Sequence, residues 1–128
     1  MSIKYVLSQK RNPARPGDPL KWYAGARSTG KVTLKALGKE IAKRGPVSPA
    51  DVLAVLEALP RVLMEHLSEG QIVRLGDFGS FQVAIGSSGV ESEANFSPSL
   101  IETRKVVFRP GTGLKERLNG LEFEITSF

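Results

Sequence analysis

Cysteine is absent from this chain of 128 residues, and histidine occurs only once, as His66. Without cysteine the chain can form neither a disulfide nor a thiolate metal site, and a zinc centre here would depend almost entirely on carboxylates. Apolar runs are short as well, since none approaches the roughly 20 residues that cross a bilayer. The first thirty residues carry charges and prolines instead of the apolar core of a signal peptide. We therefore expect a cytoplasmic protein without a membrane segment, a metal or another cofactor.

Catalytic motifs are equally scarce. No partner for a Ser–His pair can be specified for His66 on its predicted helix, and we interpret it as a structural or solvent-edge residue. Residues 111–115 (Gly-Thr-Gly-Leu-Lys) resemble a phosphate loop only faintly, because the Gly-Lys-Ser/Thr ending of the Walker motif is missing. A loop that opens a helix can still hold a phosphate on its free N–H groups. We predict a protein that is not an enzyme and has no small-molecule substrate.

Positive charge is unevenly distributed along the chain. The net charge is +5, yet residues 1–32 hold seven Lys/Arg and one acid, whereas the remainder holds eleven Lys/Arg and twelve acids. Basic arms often bind nucleic acid, although such a leader can also serve solubility alone. We predict that residues 1–32 form a basic extension that supplies phosphate contacts through Lys10, Arg11 and Arg15.

The basic extension has its own pattern. Ile3, Tyr5 and Leu7 alternate with other residues and predict a strand over residues 2–9. Residues 11–21 contain three prolines and predict an extended connector, because proline fixes φ and donates no hydrogen bond. The adjacent Trp22 and Tyr23 are interpreted as an anchor onto the core.

Two helices are predicted next. Thr33 caps a helix over residues 34–44, and Ser48 with Pro49 begins a second helix that runs to about Ser68. The apolar stripe of the second helix is too wide for one small core and predicts packing against a second chain. The stripe consists of Val52, Leu53, Val55, Leu56, Leu59, Val62, Leu63 and Leu67.

From Gln71 onward the apolar period becomes two, which is typical of strands. Residues 86–99 are rich in glycine, serine and acids and are interpreted as a mobile loop. Because an unpaired edge strand promotes aggregation, the first and last strands are expected to pair or lie side by side. The predicted elements are strands at 72–75, 78–85, 103–108 and 121–126 and a short helix at 114–118.

Two segments resemble the bacterial histone-like HU/IHF family. Phe78-Gly79-Ser80-Phe81 is similar to the family's Gly-Phe-Gly-small-Phe hairpin, and residues 108–115 (Phe-Arg-Pro-Gly-Thr-Gly-Leu-Lys) are similar to the start of its last helix. Both follow two helices, as in the family, and the resemblance covers residues 33–119. The additional strands at 2–9 and 121–126 resemble an extended HU-like subgroup.

The resemblance implies an α+β fold with two N-terminal helices, a three-stranded sheet with a β-arm, a short C-terminal helix and extra terminal strands. Residues 33–128 would form the DNA-binding domain of an intertwined homodimer whose arms embrace the minor groove of double-stranded DNA. The implied dimer core comprises Leu56, Leu59, Leu63, Phe78, Phe81 and Phe108. The residues expected near phosphate, beside those of the extension, are Arg74, Ser80, Arg104, Lys105, Arg109, Thr112 and Lys115.

The sequence departs from the family in two places. Asp77 stands where the hairpin usually has its first glycine, and the arm over residues 82–105 has three acids, Glu91, Glu93 and Glu102, against Arg104 and Lys105. We therefore keep two functions open. The first is a histone-like homodimer that binds DNA without sequence specificity and organises the nucleoid. The alternative is an HU-fold interaction or scaffold module without DNA binding.

Overall fold

The computed structural model describes residues 2–126 as an α+β chain with three α-helices and two separate sheets. The chain forms two compact units, one made of the described residues up to Val32 and from Arg117 onward, the other of Thr33–Glu116. The sequence-based division instead assigned the last strand to the part that begins at residue 33. The strands are β1 (Ser2–Lys10), β2 (Lys21–Arg27), β3 (Val73–Arg74), β4 (Gly79–Ser87), β5 (Ile101–Pro110) and β6 (Glu122–Ile125), and the helices are α1 (Leu34–Lys43), α2 (Pro49–Ser68) and α3 (Thr112–Asn119).

The first unit contains a sheet with the strand order β2-β1-β6. β1 pairs with β2 in antiparallel fashion from Lys4↔Arg27 to Lys10↔Lys21, and with β6 in parallel fashion from Ser2↔Glu122 to Tyr5↔Ile125. The expectation that the first and last strands pair is therefore confirmed.

One ion pair joins the two ends of the chain across this sheet. Lys4 Nζ donates to Glu124 Oε2, and this hydrogen bond, followed by the lysine charge and a hydrogen bond from Ser2, lowers the pKa of the Glu124 carboxyl. Both partners are accessible to solvent, so the contact sets strand register more than it stabilises the fold.

Strand β2 was missed by the sequence analysis, and the role given to its aromatic pair was wrong. Trp22 and Tyr23 lie within β2, and they are 64% and 44% exposed instead of anchored in a core. The segment Ala24-Gly25-Ala26 has low strand propensity. β2 forms because its backbone groups pair with β1 along seven positions, a long-range contact that a local pattern does not show.

Helices α1 and α2 belong to the second unit and begin as expected. Thr33 Oγ1 accepts from Ala36 N at 3.1 Å, and Ser48 Oγ accepts from Asp51 N at 3.2 Å, with proline in the first turn of α2. Gly38 is buried where α1 meets α2, since a Cβ placed on it would lie 3.6 Å from Leu56 Cδ1.

The sheet of the second unit has the order β3-β4-β5, and all its neighbours are antiparallel. β4 and β5 extend further than predicted, and the connection between them contains two short 3₁₀ turns, Glu93–Asn95 and Pro98–Leu100, in place of the loop expected throughout residues 86–99. α3 also begins two residues earlier than its apolar pattern indicated.

Burial in the chain is slight for its apolar content. Among residues 2–126, Val52 is the only large apolar side chain that is buried, with 6% of its surface exposed. Large apolar side chains of α2 such as Val55, Val62 and Met64 remain exposed. No helix within the described residues is both long and apolar enough to span a bilayer.

Candidate nucleic-acid interface

Three polar side chains lie at one level across the sheet of the second unit. Ser80 on β4 is the direct partner of Arg74 on β3 and of Arg109 on β5. Residues directly opposite each other in antiparallel strands project from the same face with Cβ atoms about 5 Å apart. The strand register therefore places two guanidinium groups on either side of a hydroxyl.

This row opens into a cleft at the start of α3. The cleft has a volume of about 210 Å³, and its wall includes Thr112 and Lys115 from the first turn of α3 together with the row of Arg74, Ser80 and Arg109. The first N–H groups of a helix lack intrahelical partners and carry partial positive charge. Five of the ten DNA-binding residues expected from the sequence thus converge on one concave surface.

Two glycines let the turn and the helix start approach each other closely. Gly79 has φ +150°, and a Cβ on it would lie 2.4 Å from Arg109 O and 2.7 Å from the Phe108 ring. A Cβ on Gly111 would lie 2.4 Å from Asp77 O, and Gly111 N donates to Phe78 O at 2.9 Å. The backbone at Gly79 and at Gly111 therefore leaves no space for a side chain.

The charges of the cleft are mostly positive but include one acid. Arg74, Arg109 and Lys115 contribute three positive charges and Asp77 one negative charge. Within residues 2–126, no carboxylate oxygen lies within 4.0 Å of a side-chain nitrogen of these three cations. Their charge is therefore not neutralised by an ion pair inside the described chain, and the cleft can hold an anion such as a phosphate group.

The remaining basic candidates lie elsewhere. Arg104 and Lys105 are successive residues of β5, opposite Ile85 and Ala84 in the arm, and they do not line the cleft. Successive side chains of a strand point to opposite faces, so one face of the arm presents at most one of the two.

The candidates of the extension lie in the first unit. Lys10 and Arg11 border a separate concavity next to Tyr23, and Arg15 lies in the turn-rich connector. Lys21 was missed by the sequence analysis, although it lies directly opposite Lys10. Because the two lysines are directly opposed, this end of the β1–β2 hairpin is a strongly basic surface, although like charges in such positions repel each other. Only the register of the hairpin could have revealed it.

The aromatic members of the expected dimer core form one cluster in the second unit. The ring centroid of Phe108 lies 5.2 Å from that of Phe78 and 4.9 Å from that of Phe81, both in tilted geometry. Phe78 nevertheless remains 51% exposed. Leu56, Leu59 and Leu63 of α2 are likewise only partly covered by their own chain.

Known proteins resemble this chain in sequence and in fold. The family model described as "HU domain fused to wHTH, Ig, or Glycine-rich motif" (HU-HIG) matches residues 1–125. DNA-binding protein HU of Thermotoga maritima is 34% identical over 90 residues, which cover 68% of this chain and 99% of the relative. Integration host factor subunit alpha of Methylorubrum extorquens is 36% identical over 98 residues, covering 70% of this chain and 84% of the relative.

Solved structures agree on the fold. A putative bacterial DNA binding protein from Bacteroides vulgatus matches 97% of this chain with a TM-score of 0.66 at 14% identity, and the match spans about half (47%) of that longer chain. The HU of an Anabaena HU–DNA cocrystal structure matches 70% of this chain and 99% of its own, with a TM-score of 0.51 at 24% identity. The family model and the curated relatives together show that this chain belongs to the bacterial HU/IHF-like family of DNA-binding proteins.

Proposed function

We propose that this protein is a histone-like homodimer that binds double-stranded DNA without sequence specificity and organises the bacterial nucleoid in the cytoplasm. The observation that carries the proposal is the cleft at the start of α3, where Arg74, Ser80, Arg109, Thr112 and Lys115 converge. A relative at 34% identity is itself named a DNA-binding protein.

The chemistry of the cleft fits a phosphate of the DNA backbone. Two guanidinium groups and an ammonium group supply charge-assisted hydrogen bonds, and two hydroxyls with the first N–H groups of α3 add neutral donors. The cleft, with a volume of about 210 Å³, has room for a phosphate group. Contacts to phosphate fix the position of a protein on DNA without reading its sequence.

A homodimer is proposed because the second unit leaves its apolar side chains uncovered. Leu59 is 37% exposed, and the Phe78 ring borders the partly covered cluster with Phe81 and Phe108. Large contiguous apolar patches of this kind mark protein interfaces. A second copy related by a two-fold axis would cover them and would place two phosphate clefts on one particle.

Residues 1–32 are proposed to act as a basic extension, and residues 33–128 as the part that carries the DNA site. Lys10 and Lys21 oppose each other at one end of the first sheet, with Arg11 beside them. This surface adds positive charge that any duplex attracts equally, which is the expectation for sequence-independent binding.

The scaffold alternative keeps one supporting observation. The connection between β4 and β5 carries Glu91 and Glu93 next to the exposed apolar residues Val90 and Phe96, and Ser88 Oγ donates to Glu102. An acidic and partly apolar arm tip suits a protein partner better than a DNA groove. This alternative predicts that the purified protein fails to bind DNA even at low salt.

The test is a titration of fluorescently labelled duplexes of unrelated sequence by anisotropy at several salt concentrations. The cleft variant combines Arg74→Ala, Arg109→Ala and Lys115→Ala. Each lost phosphate contact lowers the slope of log affinity against log salt by about 0.9, so three contacts in each of two copies should flatten the slope by about 5.

Two further triple variants complete the design. Replacing Lys10, Arg11 and Arg15 with alanine tests the extension, and replacing Lys35, Lys39 and Lys43 on α1 removes the same charge outside every proposed site. We expect the cleft variant to lose most of the slope on all duplexes, the extension variant to lose part of it, and the α1 variant to change it least. An equal effect of all three would show that net charge alone drives binding and would overturn the cleft assignment.

A further inference from the structure

One end of the β1–β2 hairpin combines an aromatic ring with positive charge. Directly opposed residues of antiparallel strands share a side of the sheet, so Tyr23 lies with its partner Ser8, and Lys10 lies with its partner Lys21. Because alternate residues of a strand also share a side, all four side chains project from the same side. Arg11 follows directly after β1. We call Tyr23, Lys10, Lys21 and Arg11 the aromatic basic patch.

The patch borders an open concavity of about 580 Å³ where the hairpin meets the proline-containing connector. The lining of this concavity includes Tyr23, Lys10, Arg11 and Asn12. Asn12 Oδ1 accepts from Ala14 N at 3.0 Å, so a local turn fixes the side-chain amide of Asn12. This concavity is larger than the phosphate cleft of the second unit and, unlike that cleft, has an aromatic ring in its lining.

The ring and the charges of the patch are open to a ligand. Tyr23 is 44% exposed. Among residues 2–126, no carboxylate oxygen lies within 4.0 Å of a side-chain nitrogen of Lys10, Arg11 or Lys21. The opposed lysines repel each other, and an anion between them would relieve that repulsion. The patch is therefore suited to an anionic ligand that also has a flat apolar surface.

We propose that the aromatic basic patch binds single-stranded DNA, with one unpaired base stacked on the Tyr23 ring and the neighbouring phosphates held by Lys10, Arg11 and Lys21. Cations that follow the backbone, together with an aromatic ring on which a base stacks, are the means by which proteins hold single strands. A duplex cannot use the ring in this way, because its bases stack on each other and present only their edges in the grooves. We assign the strand to DNA because the chain belongs to a family of DNA-binding proteins.

This site goes beyond the proposed function, which requires only phosphate contacts to a duplex. In that function the basic extension attracts every duplex equally through its charge. The patch adds a preference for unpaired nucleotides, which comes from the ring and not from the charge. The two contributions can therefore be separated by a ligand that keeps the phosphates and lacks the bases.

Trp22 provides a matched control within the same strand. Successive residues of a strand point to opposite sides, so Trp22 lies on the other side of the sheet from Tyr23, with its partner Gln9. Trp22 is the larger ring and the more exposed one, at 64%. If ring size and exposure alone decided binding, Trp22 would be the stacking residue. The proposal predicts that Tyr23 is, because Lys10 and Lys21 lie on its side.

The test measures the anisotropy of fluorescently labelled oligomers of about ten nucleotides, which lies within the site sizes of single-strand-binding folds. Oligothymidylate is compared with an abasic oligomer of equal length, which carries the same phosphates and no bases. We expect the full-length protein to bind oligothymidylate about tenfold more tightly, since one stacked base supplies an effect of that order.

Paired substitutions locate this preference. Tyr23→Thr removes the ring but retains a residue that favours strands, and it should abolish the preference for oligothymidylate. Trp22→Thr makes the corresponding change on the opposite side of the sheet and should leave the preference intact. Tyr23→Phe keeps the ring without its hydroxyl and should retain the preference, because stacking requires only the aromatic face.

A photo-cross-link tests the unsubstituted protein, so the result does not depend on the folding of a variant. An oligothymidylate that carries a single 5-iodouracil base is irradiated in complex with the protein, and the adduct is located by mass spectrometry of the peptides. We expect the adduct on Tyr23. An adduct on Trp22 instead would overturn the assignment of the patch.

Other outcomes also overturn the proposal. Equal binding of oligothymidylate and the abasic oligomer would show that charge alone attracts the strand. Equal loss of the preference in Tyr23→Thr and Trp22→Thr would show that the patch is not the site. Equal or tighter binding of oligouridylate would assign the patch to RNA.

Failure of the proposed function is seen separately. The variant with Arg74→Ala, Arg109→Ala and Lys115→Ala should lose duplex binding but keep the preference for oligothymidylate over the abasic oligomer, because its substitutions lie in the second unit. A parent protein that ignores duplex DNA yet shows this preference would refute the proposed function and support the aromatic basic patch.

Discussion

Replacing Gly79 with alanine should destabilise the second unit more than the same replacement at any other glycine of β4. Gly79 has φ +150°, a conformation that costs a residue with a side chain about 1–3 kcal/mol. The added Cβ would also lie 2.4 Å from the carbonyl oxygen of Arg109 and 2.7 Å from two carbons of the Phe108 ring. Neither the backbone oxygen nor the packed ring can move away without disturbing the Gly79↔Pro110 pairing. Overpacking of this kind adds about 1–3 kcal/mol, so we expect a total loss of about 3–5 kcal/mol.

The measurement is urea unfolding followed by circular dichroism at one fixed protein concentration, since a dimer's stability depends on concentration. Gly89→Ala is the matched control, because a Cβ at Gly89 meets nothing within 4 Å and its φ is not positive. The control should stay within about 0.5 kcal/mol of the parent. A loss below about 1 kcal/mol for Gly79→Ala would refute the reasoning, since it would mean that the turn beside the cleft can shift to admit a side chain.

Three further predictions concern charge and assembly. Asp77→Asn removes the single acid of the cleft and should raise DNA affinity by about 1 kcal/mol, or about fivefold at low salt. Glu91→Gln in the arm should not raise the affinity. Equal or weaker binding by the Asp77 variant would contradict the phosphate site. Because Lys4 lowers the pKa of Glu124, their contact stabilises the β1–β6 pairing above the ordinary pKa of 4.5, and this stabilisation is lost as pH falls through the lowered value. Amide exchange in β1 should therefore accelerate over that pH range in the parent protein but not in Glu124→Gln. Identical exchange profiles of the two proteins would refute this prediction. Phe81 is half-buried in the single chain, so Phe81→Ala should lower the free energy of unfolding by about 2 kcal/mol in a monomer but by about 3–5 kcal/mol if a dimer buries the ring. In the dimer the melting temperature should also rise with protein concentration. Light scattering from a folded monomer at micromolar concentration would decide against the dimer.

The helices could be predicted because their signals are local. Thr33 and Ser48 occupy cap positions, and each is followed by apolar residues at helical spacing, so the starts of α1 and α2 were correct to the residue. The terminal strands were also predictable, since alternation at both ends left two edges that needed partners. Strand β2 was not, because Ala24-Gly25-Ala26 carries little strand preference and only pairing with β1 holds it extended.

The sequence by itself determined the family and the identities of the charged residues, because capping, periodicity and the two glycine-containing motifs are written in neighbouring positions. Tertiary structure alone decided which of those residues form a site. Arg74 and Arg109 lie 35 positions apart in the chain, and they meet only because β3 and β5 flank the same residue, Ser80, of β4. Arg104 and Lys105 belong to the same strand as Arg109 but lie further along the arm, away from the cleft. The aromatic basic patch of the first sheet was likewise hidden until β2 paired with β1, because strand register, which joins distant segments, determines which side chains share a surface.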